Sequence, residues 1–315
     1  MTTLSNKFNL EKPKSLEDLV GSTPLLEIKH LRSNNVKIFA KCEWTNPSGS
    51  VKDRAAYSIF KHALDNDLLL NKILIDATSG NTGLAFAMLG ANFQVPIELA
   101  LPENASIERK LLIKSYGAKL HLTSPLEGTD GAQMYVQKLI QKYPDTYYYP
   151  DQYNNENNWK AHYNTTGPEI WTQTNNEVTH FITGLGTSGT FVGTSKFLKH
   201  KGVTCIAVHP DNPMHGLEGW KHMQTAIVPG IYDNSVAHDN VEVSTQMAYS
   251  YARAAFCHLG LALSPSSAAN LAAALTLSKE LTQGVIVTVF PDNASKYLHD
   301  SFWNDDDYII ENPFF

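Results

Sequence analysis

Seven short apolar runs, spaced along the chain and separated by longer helix-like stretches, set the strongest limit on the fold. They are VKIFAKCEW (36–44), KILIDA (72–77), VPIELALP (95–102), AKLHLT (118–123), VTHFITGL (178–185), VTCIAVHP (203–210) and VIVTVFP (285–291). Several are almost uninterrupted apolar runs rather than alternating ones, the pattern of strands buried on both faces. Amphipathic stretches such as SIERKLLIKSYG and DGAQMYVQKLIQKY lie between them. Strand–helix alternation of this kind predicts an α/β protein of two doubly wound domains with mostly parallel sheets. The 315 residues are enough for one large core or two modest ones.

Composition narrows the function by exclusion. A formal net charge of −6 gives no basic footprint for nucleic acid or an anionic membrane. No apolar stretch has the length of a membrane span, and the polar start MTTLSNKFNLEKPKSLEDL has no apolar core of a secretory signal. Cys42, Cys205 and Cys257 are odd in number and widely spaced, with neither zinc spacing nor a disulfide framework. Each has apolar neighbours and is expected to be a small buried hydrophobe. The expected compartment is reducing and cytoplasmic.

Four segments carry chemistry. In NPSGSVKDRAA (46–56) the turn and cap residues predict a helix starting near Ser50, with Lys52 in its first turn. A cation is out of place there, because the helix N-terminus is itself positive. Lys52 is either a solvated lysine helped by Asp53 or an amine of lowered pKa able to form a Schiff base. In KILIDATSGNTGLAFAMLG (72–90) a strand leads through a small-residue turn into a helix, a place where N–H groups and hydroxyls hold a carboxylate or phosphate. THFITGLGTSGTFVGTSKFL (179–198) repeats that design without the lysine of a P-loop, which suits a single phosphate. In GLALSPSSAANLAAAL (260–275) Ser264, Ser266 or Ser267 caps an alanine-rich helix. The early part of DQYNNENNWKAHYN (151–164) is a candidate crossover between the two domains.

Together and in this order, NPSGSVKDRAA, TSGNTG, DQYNN with AHYNTTGPEIW, GLGTSGT and SPSSAAN resemble the cysteine synthase family of fold-type II pyridoxal-phosphate (PLP) enzymes, related in fold to the tryptophan synthase β-subunit. The likeness runs from GSTPLLEI (21–28) to FPDNASKYL (290–298), and VPGIYDNS (228–235) brings it nearest the cysteine synthase B branch. The resemblance implies that Lys52 links covalently to PLP and acts as the proton-transferring base. It implies that Asn81 bonds the ring hydroxyl, that Gly186, Thr187, Ser188, Gly189 and Thr190 hold the phosphate, and that Ser266 faces the ring nitrogen. Thr78, Ser79, Asn81, Thr82 and Gln152 would hold the substrate carboxylate.

The implied activity is β-replacement on O-acetylserine by sulfide or thiosulfate, giving cysteine or an S-substituted cysteine. A cystathionine β-synthase-like reaction, an O-phosphoserine-using relative and a catalytically silent homologue are the alternatives. The implied organisation is a smaller mobile domain (46–157), a larger PLP-binding domain (24–45 and 158–315) and an N-terminal segment (1–23) contacting a second copy in a homodimer. A serine acetyltransferase is a possible further partner. Ser188, Pro265, Asn270, Pro291 and Asn293 depart from the family's commoner residues, leaving Ser266 and Ser267 to be distinguished.

Overall fold

A computed structural model describes residues 14–29, 35–78, 80–304 and 312–314. Among the described residues, ten strands form two sheets: β1 (Leu25–Glu27), β2 (Asn35–Cys42), β3 (Ile73–Ala77), β4 (Ile97–Pro102), β5 (Lys119–Thr123), β6 (Tyr147–Tyr148), β7 (His180–Gly184), β8 (Thr204–Pro210), β9 (Asp239–Val243) and β10 (Gln283–Phe290). One sheet has the order β1-β2-β10-β7-β8-β9 and the other β5-β4-β3-β6. Every neighbouring pair is parallel except β1 with β2. All seven expected strands are present. Three further strands are short or lie at a sheet edge.

The apolar runs read as they do because each sheet is covered on both faces. In the smaller sheet Leu74 and Leu99 face a core with Phe60 and Phe86, from helices Lys52–Asp65 and Asn81–Phe93. Their neighbours Ile75, Ala77 and Ala100 face Ala132 and Val136 of helix Gly128–Lys142. The larger sheet repeats this arrangement. Ile182, Ile206 and Ile286 meet helix Pro265–Glu280, and Phe181, Cys205 and Val287 meet helix Gly189–Lys199. Successive strand side chains point to opposite faces, so both sets must be apolar. Each fully buried Val, Leu, Ile or Phe contributes about 1.5–3 kcal/mol.

The 151–164 segment is loop only at its start; Asn155 caps helix Glu156–Asn164 by accepting the Asn157 N–H at 3.0 Å. The expectation for the cysteines is corrected at one position. Cys42 and Cys205 are buried, but Cys257 is exposed. It lies in the helical turn Ala255–Leu259, where Phe256, Cys257 and His258 all point outward. Apolar neighbours in sequence do not place a residue inside when the turn carrying it faces solvent. Among the described residues, no helix is long and apolar enough to cross a membrane. Of the expected dimer-contacting segment, residues 1–13 lie outside the described residues.

Candidate active site

The two sheets meet the site through their strand ends. Lys52 is the first residue of helix Lys52–Asp65, and its backbone N–H reaches Ser50 Oγ at 3.3 Å. The helix start is fixed to the end of β10, because Val51 N–H donates to the Pro291 carbonyl at 2.8 Å. Lys52 is partly buried, and its amine has no hydrogen-bond partner among the described residues. Burial lowers its pKa, Asp292 opposes that shift and Lys296 adds to it. A solvated lysine would not have this environment. Asp53 does not serve as its partner; the Asp53 carboxylate accepts from the Ser48 N–H at 2.6 Å and from the Ser48 hydroxyl. Burial pushes Asp53 up to about 6.

One cleft gathers Lys52, Asn81, Thr82, Gly186, Thr187, Ser188, Thr190 and Ser266. Thr78, Gln152 and Gly189 stand behind it. The Thr78 hydroxyl accepts the N–H groups of Gly80 and Gly83, each at 3.0 Å, and so shapes the 78–83 turn. Gln152 accepts the Thr82 hydroxyl at 2.8 Å and donates to the Ala77 carbonyl at 3.0 Å. Ser79 lies outside the described residues. Gly80 has φ +144°, and a Cβ there would strike the Arg109 side chain, so only glycine fits this turn.

The 186–190 turn opens helix Gly189–Lys199, whose N-terminus favours an anion. Ser188 takes the left-handed conformation at φ 71°, and its Oγ is buried without a hydrogen-bond partner among the described residues. An orphaned buried donor at a helix N-terminus is costly unless a ligand completes it. This fits a phosphate. Gly186 is closed in from the other side, since a Cβ there would meet the Gly219 carbonyl.

Geometry separates the two serines. Ser266 lines the cleft, with its hydroxyl donating to the Glu218 carbonyl at 3.1 Å. Ser267 is fully buried and donates to the Asp292 carbonyl at 2.6 Å. Ser264 is the helix cap, accepting the Ser267 N–H at 3.2 Å. Asn270 supports the cleft floor, accepting the Gly184 N–H at 2.8 Å and donating to the Val289 carbonyl at 2.7 Å. Pro291 lines the cleft, whereas Asn293 caps the turn Ala294–Lys296.

Sequence reading missed a second group of residues. Asp292 and Tyr297 line the cleft, and Lys296 braces it. Asn81 Nδ2 donates to Asp292 Oδ2 at 2.8 Å, while Lys296 Nζ donates to Asn81 Oδ1 at 2.9 Å. A carboxylate on one end and an ammonium on the other fix the orientation of the Asn81 amide. Glu218 and Trp220 also line the cleft, and the buried Arg109 pairs with Glu218, its Nη2 at 2.8 Å from Oε2. Asp292 and Lys296 are the two charged residues of FPDNASKYL, and no motif spacing marks either of them. His162 is buried and held neutral, pushed down to about 3 by burial and by Arg54; its Nε2 lies 3.3 Å from the Thr190 hydroxyl.

Residues 16–292 match the family model described as "Pyridoxal-phosphate dependent enzyme". The chain is 49% identical over 300 residues to "Cysteine synthase" of Aquifex aeolicus, covering 92% of each chain. It is 34% identical over 288 residues to "Cysteine synthase B" of Escherichia coli, covering 90% of this chain and 94% of the relative. The crystal structure of cysteine synthase from Entamoeba histolytica superposes with a TM-score of 0.90 at 30% identity, covering 98% of this chain and 96% of that one. Similarity over nearly the whole length agrees with a cleft that offers an amine of lowered pKa beside an anion turn: the chain belongs to the cysteine synthase family of PLP-dependent enzymes.

Proposed function

We propose that the chain forms L-cysteine, or an S-substituted cysteine, from O-acetyl-L-serine and sulfide or thiosulfate. The observation that carries this reading is the placement of Lys52 in one cleft with the 186–190 anion turn and Ser266. PLP, when bound, supplies the electron sink that lets the substrate Cα–H bond break. Lys52 anchors the cofactor and, once displaced, takes the α-proton as a free amine and returns it after the nucleophile has added. Gly186, Thr187, Ser188, Gly189 and Thr190 hold the phosphate. Asn81 presents an N–H to the ring hydroxyl. Ser266 offers the ring nitrogen a hydroxyl rather than a carboxylate, which favours loss of the β-substituent over amino transfer. Ser79, Asn81 and Thr82 take the substrate carboxylate, with Thr78 and Gln152 shaping their turn.

The unit spanning 46–157 closes on that carboxylate and excludes water. The family resemblance supports a homodimer and a possible serine acetyltransferase contact. Three cysteines without a disulfide support a cytoplasmic setting. Steady-state assays with O-acetylserine, serine and O-phosphoserine, each against sulfide, thiosulfate and homocysteine, test the substrate assignment. Turnover is expected with the acetyl ester; its absence ends this version. Sedimentation and small-angle scattering with and without the amino acid test the dimer and the closure.

A further inference from the structure

Asp292 carries a buried carboxylate that the residues so far assigned do not use up. It is 1% exposed and lines the cleft that holds Lys52. Its Oδ2 is saturated, accepting from Asn81 Nδ2 at 2.8 Å and from the Tyr297 hydroxyl at 2.6 Å. Among the described residues, its Oδ1 is buried with no hydrogen-bond partner. A buried carboxylate oxygen without a donor is an expensive arrangement, retained where a cation arrives during function.

The backbone holds this residue against the helix that starts at Lys52. Val51 N–H binds the Pro291 carbonyl at 2.8 Å. Lys296 Nζ binds the carbonyls of Ser48 and Gly49 at 3.1 and 3.2 Å. The Asp292 carbonyl is itself clamped by the Ser267 and Ser264 hydroxyls at 2.6 and 3.3 Å. The position of the side chain is therefore set independently of its charge.

We propose that Asp292 is a positioning residue for the base: its unpartnered oxygen receives the Lys52 ammonium that forms when the amine takes the substrate α-proton. In that step the Cα–H bond breaks, its electron pair stays with the substrate carbon, and the proton moves to Lys52 Nζ. No further reactant is required. The inference rests on the reading that Lys52 is the proton carrier. A new ammonium there stands beside the Lys296 cation, with Arg109 and the buried His162 also near and Asp53 already committed to Ser48. Glu218 is paired with Arg109. Among the described residues, Asp292 is the carboxylate left to offset the charge. Its coupling to Lys52 agrees in sign, since it opposes the fall in the lysine's pKa.

The test reads the lysine itself. Trace labelling of the cofactor-free protein with acetic anhydride across pH, followed by peptide mass spectrometry, gives the titration midpoint of Lys52. Asp292→Asn can keep both bonds to Asn81 and Tyr297 while turning an NH2 toward the amine. It is expected to lower the Lys52 midpoint by about one to three pH units. Tyr297→Phe removes a donor from the carboxylate, leaves it more basic and is expected to raise the midpoint. In the loaded enzyme, Asp292→Asn lowers kcat with little change in KM. An unmoved midpoint, or shifts of the same sign in both variants, overturns the proposal. Should Asp292→Asn fail to fold, Tyr297→Phe still decides, because an unmoved or lowered midpoint there is incompatible with it. A wild type that turns over none of the amino acids would refute the proposed reaction instead, and would leave the labelling result standing.

Discussion

Two groups of charged side chains flank the first turns of helix Lys52–Asp65, and they are built on opposite terms. Behind the helix, Lys41, Glu43, Arg54 and Glu169 balance two cations against two carboxylates. Arg54 reaches Glu43 at 2.7 Å and Glu169 at 2.7 Å, and Lys41 reaches Glu169 at 2.6 Å. Glu43 also accepts from the Thr23 hydroxyl at 2.6 Å and from Asn46 at 2.9 Å. In front, the basic side chains Lys52, Lys296 and Arg109 outnumber Asp292 and Glu218, and one carboxylate oxygen stays unpartnered among the described residues. Arg54 lies two residues after Lys52, so the same helix turns one basic side chain to each group. A saturated cluster can only hold structure in place. An unsaturated one can accept a proton or a ligand.

Substitutions should separate the two. Lys52→Ala is expected to keep the fold and to cost turnover roughly 10² to 10⁴-fold or more, because it removes the proton carrier. Stopped assays together with a urea titration check both halves; wild-type-like rates would be incompatible with the mechanism. Arg54→Met should do the reverse first. It strands Glu43 and part of Glu169 without a cation, with an expected loss of about 3–5 kcal/mol in urea unfolding.

The next contrast is in pH. Burial opposes the Glu43 charge, but Arg54 overrides it and holds the carboxyl at about 2, below the usual 4.5. Its folded pKa is depressed, so its stabilisation is present above pH 4.5 and is lost as the pH falls toward 2. Asp53 has the opposite sign. Raised from 3.8 to about 6, it withdraws stability as the pH rises through that window. Urea midpoints measured at steps across both windows should show opposed slopes. Glu43→Gln should flatten the lower slope and Asp53→Asn the upper. The smallest effect is expected at the anion turn. Ser188→Ala should leave stability intact and weaken PLP retention by about 1.5 kcal/mol, or about tenfold, in equilibrium dialysis.

How much of this was legible in the sequence follows the same division. Strands buried on both faces announce themselves as apolar runs, which is why β3, β4, β7, β8 and β10 could be read directly. The edge strand β9 (DNVEV) has only Val243 buried, and β6 is two tyrosines, so neither carries a period. At the site, Lys52, the 186–190 turn and Ser266 sit in ordered motifs. Asp292 and Lys296 do not stand out, because an unpartnered oxygen is a property of the folded neighbourhood and no spacing encodes it. The choice between Ser266 and Ser267 likewise needed the helix phase in space, since both follow the same cap.

The central position of β10 has a consequence for how the protein is made. Ile38 of β2 is matched to Ile286, and β10 separates β2 from β7 in the sheet. A nascent chain therefore emerges with β2 lacking one neighbour until residues 283–290 have been synthesised. Contacts this distant close late and slowly. Asp292, which lines the same cleft as Lys52, follows that strand directly, so chemical competence should appear in one step at the close of folding, and partly made chains would present β2 and β7 edges for chaperones to shield.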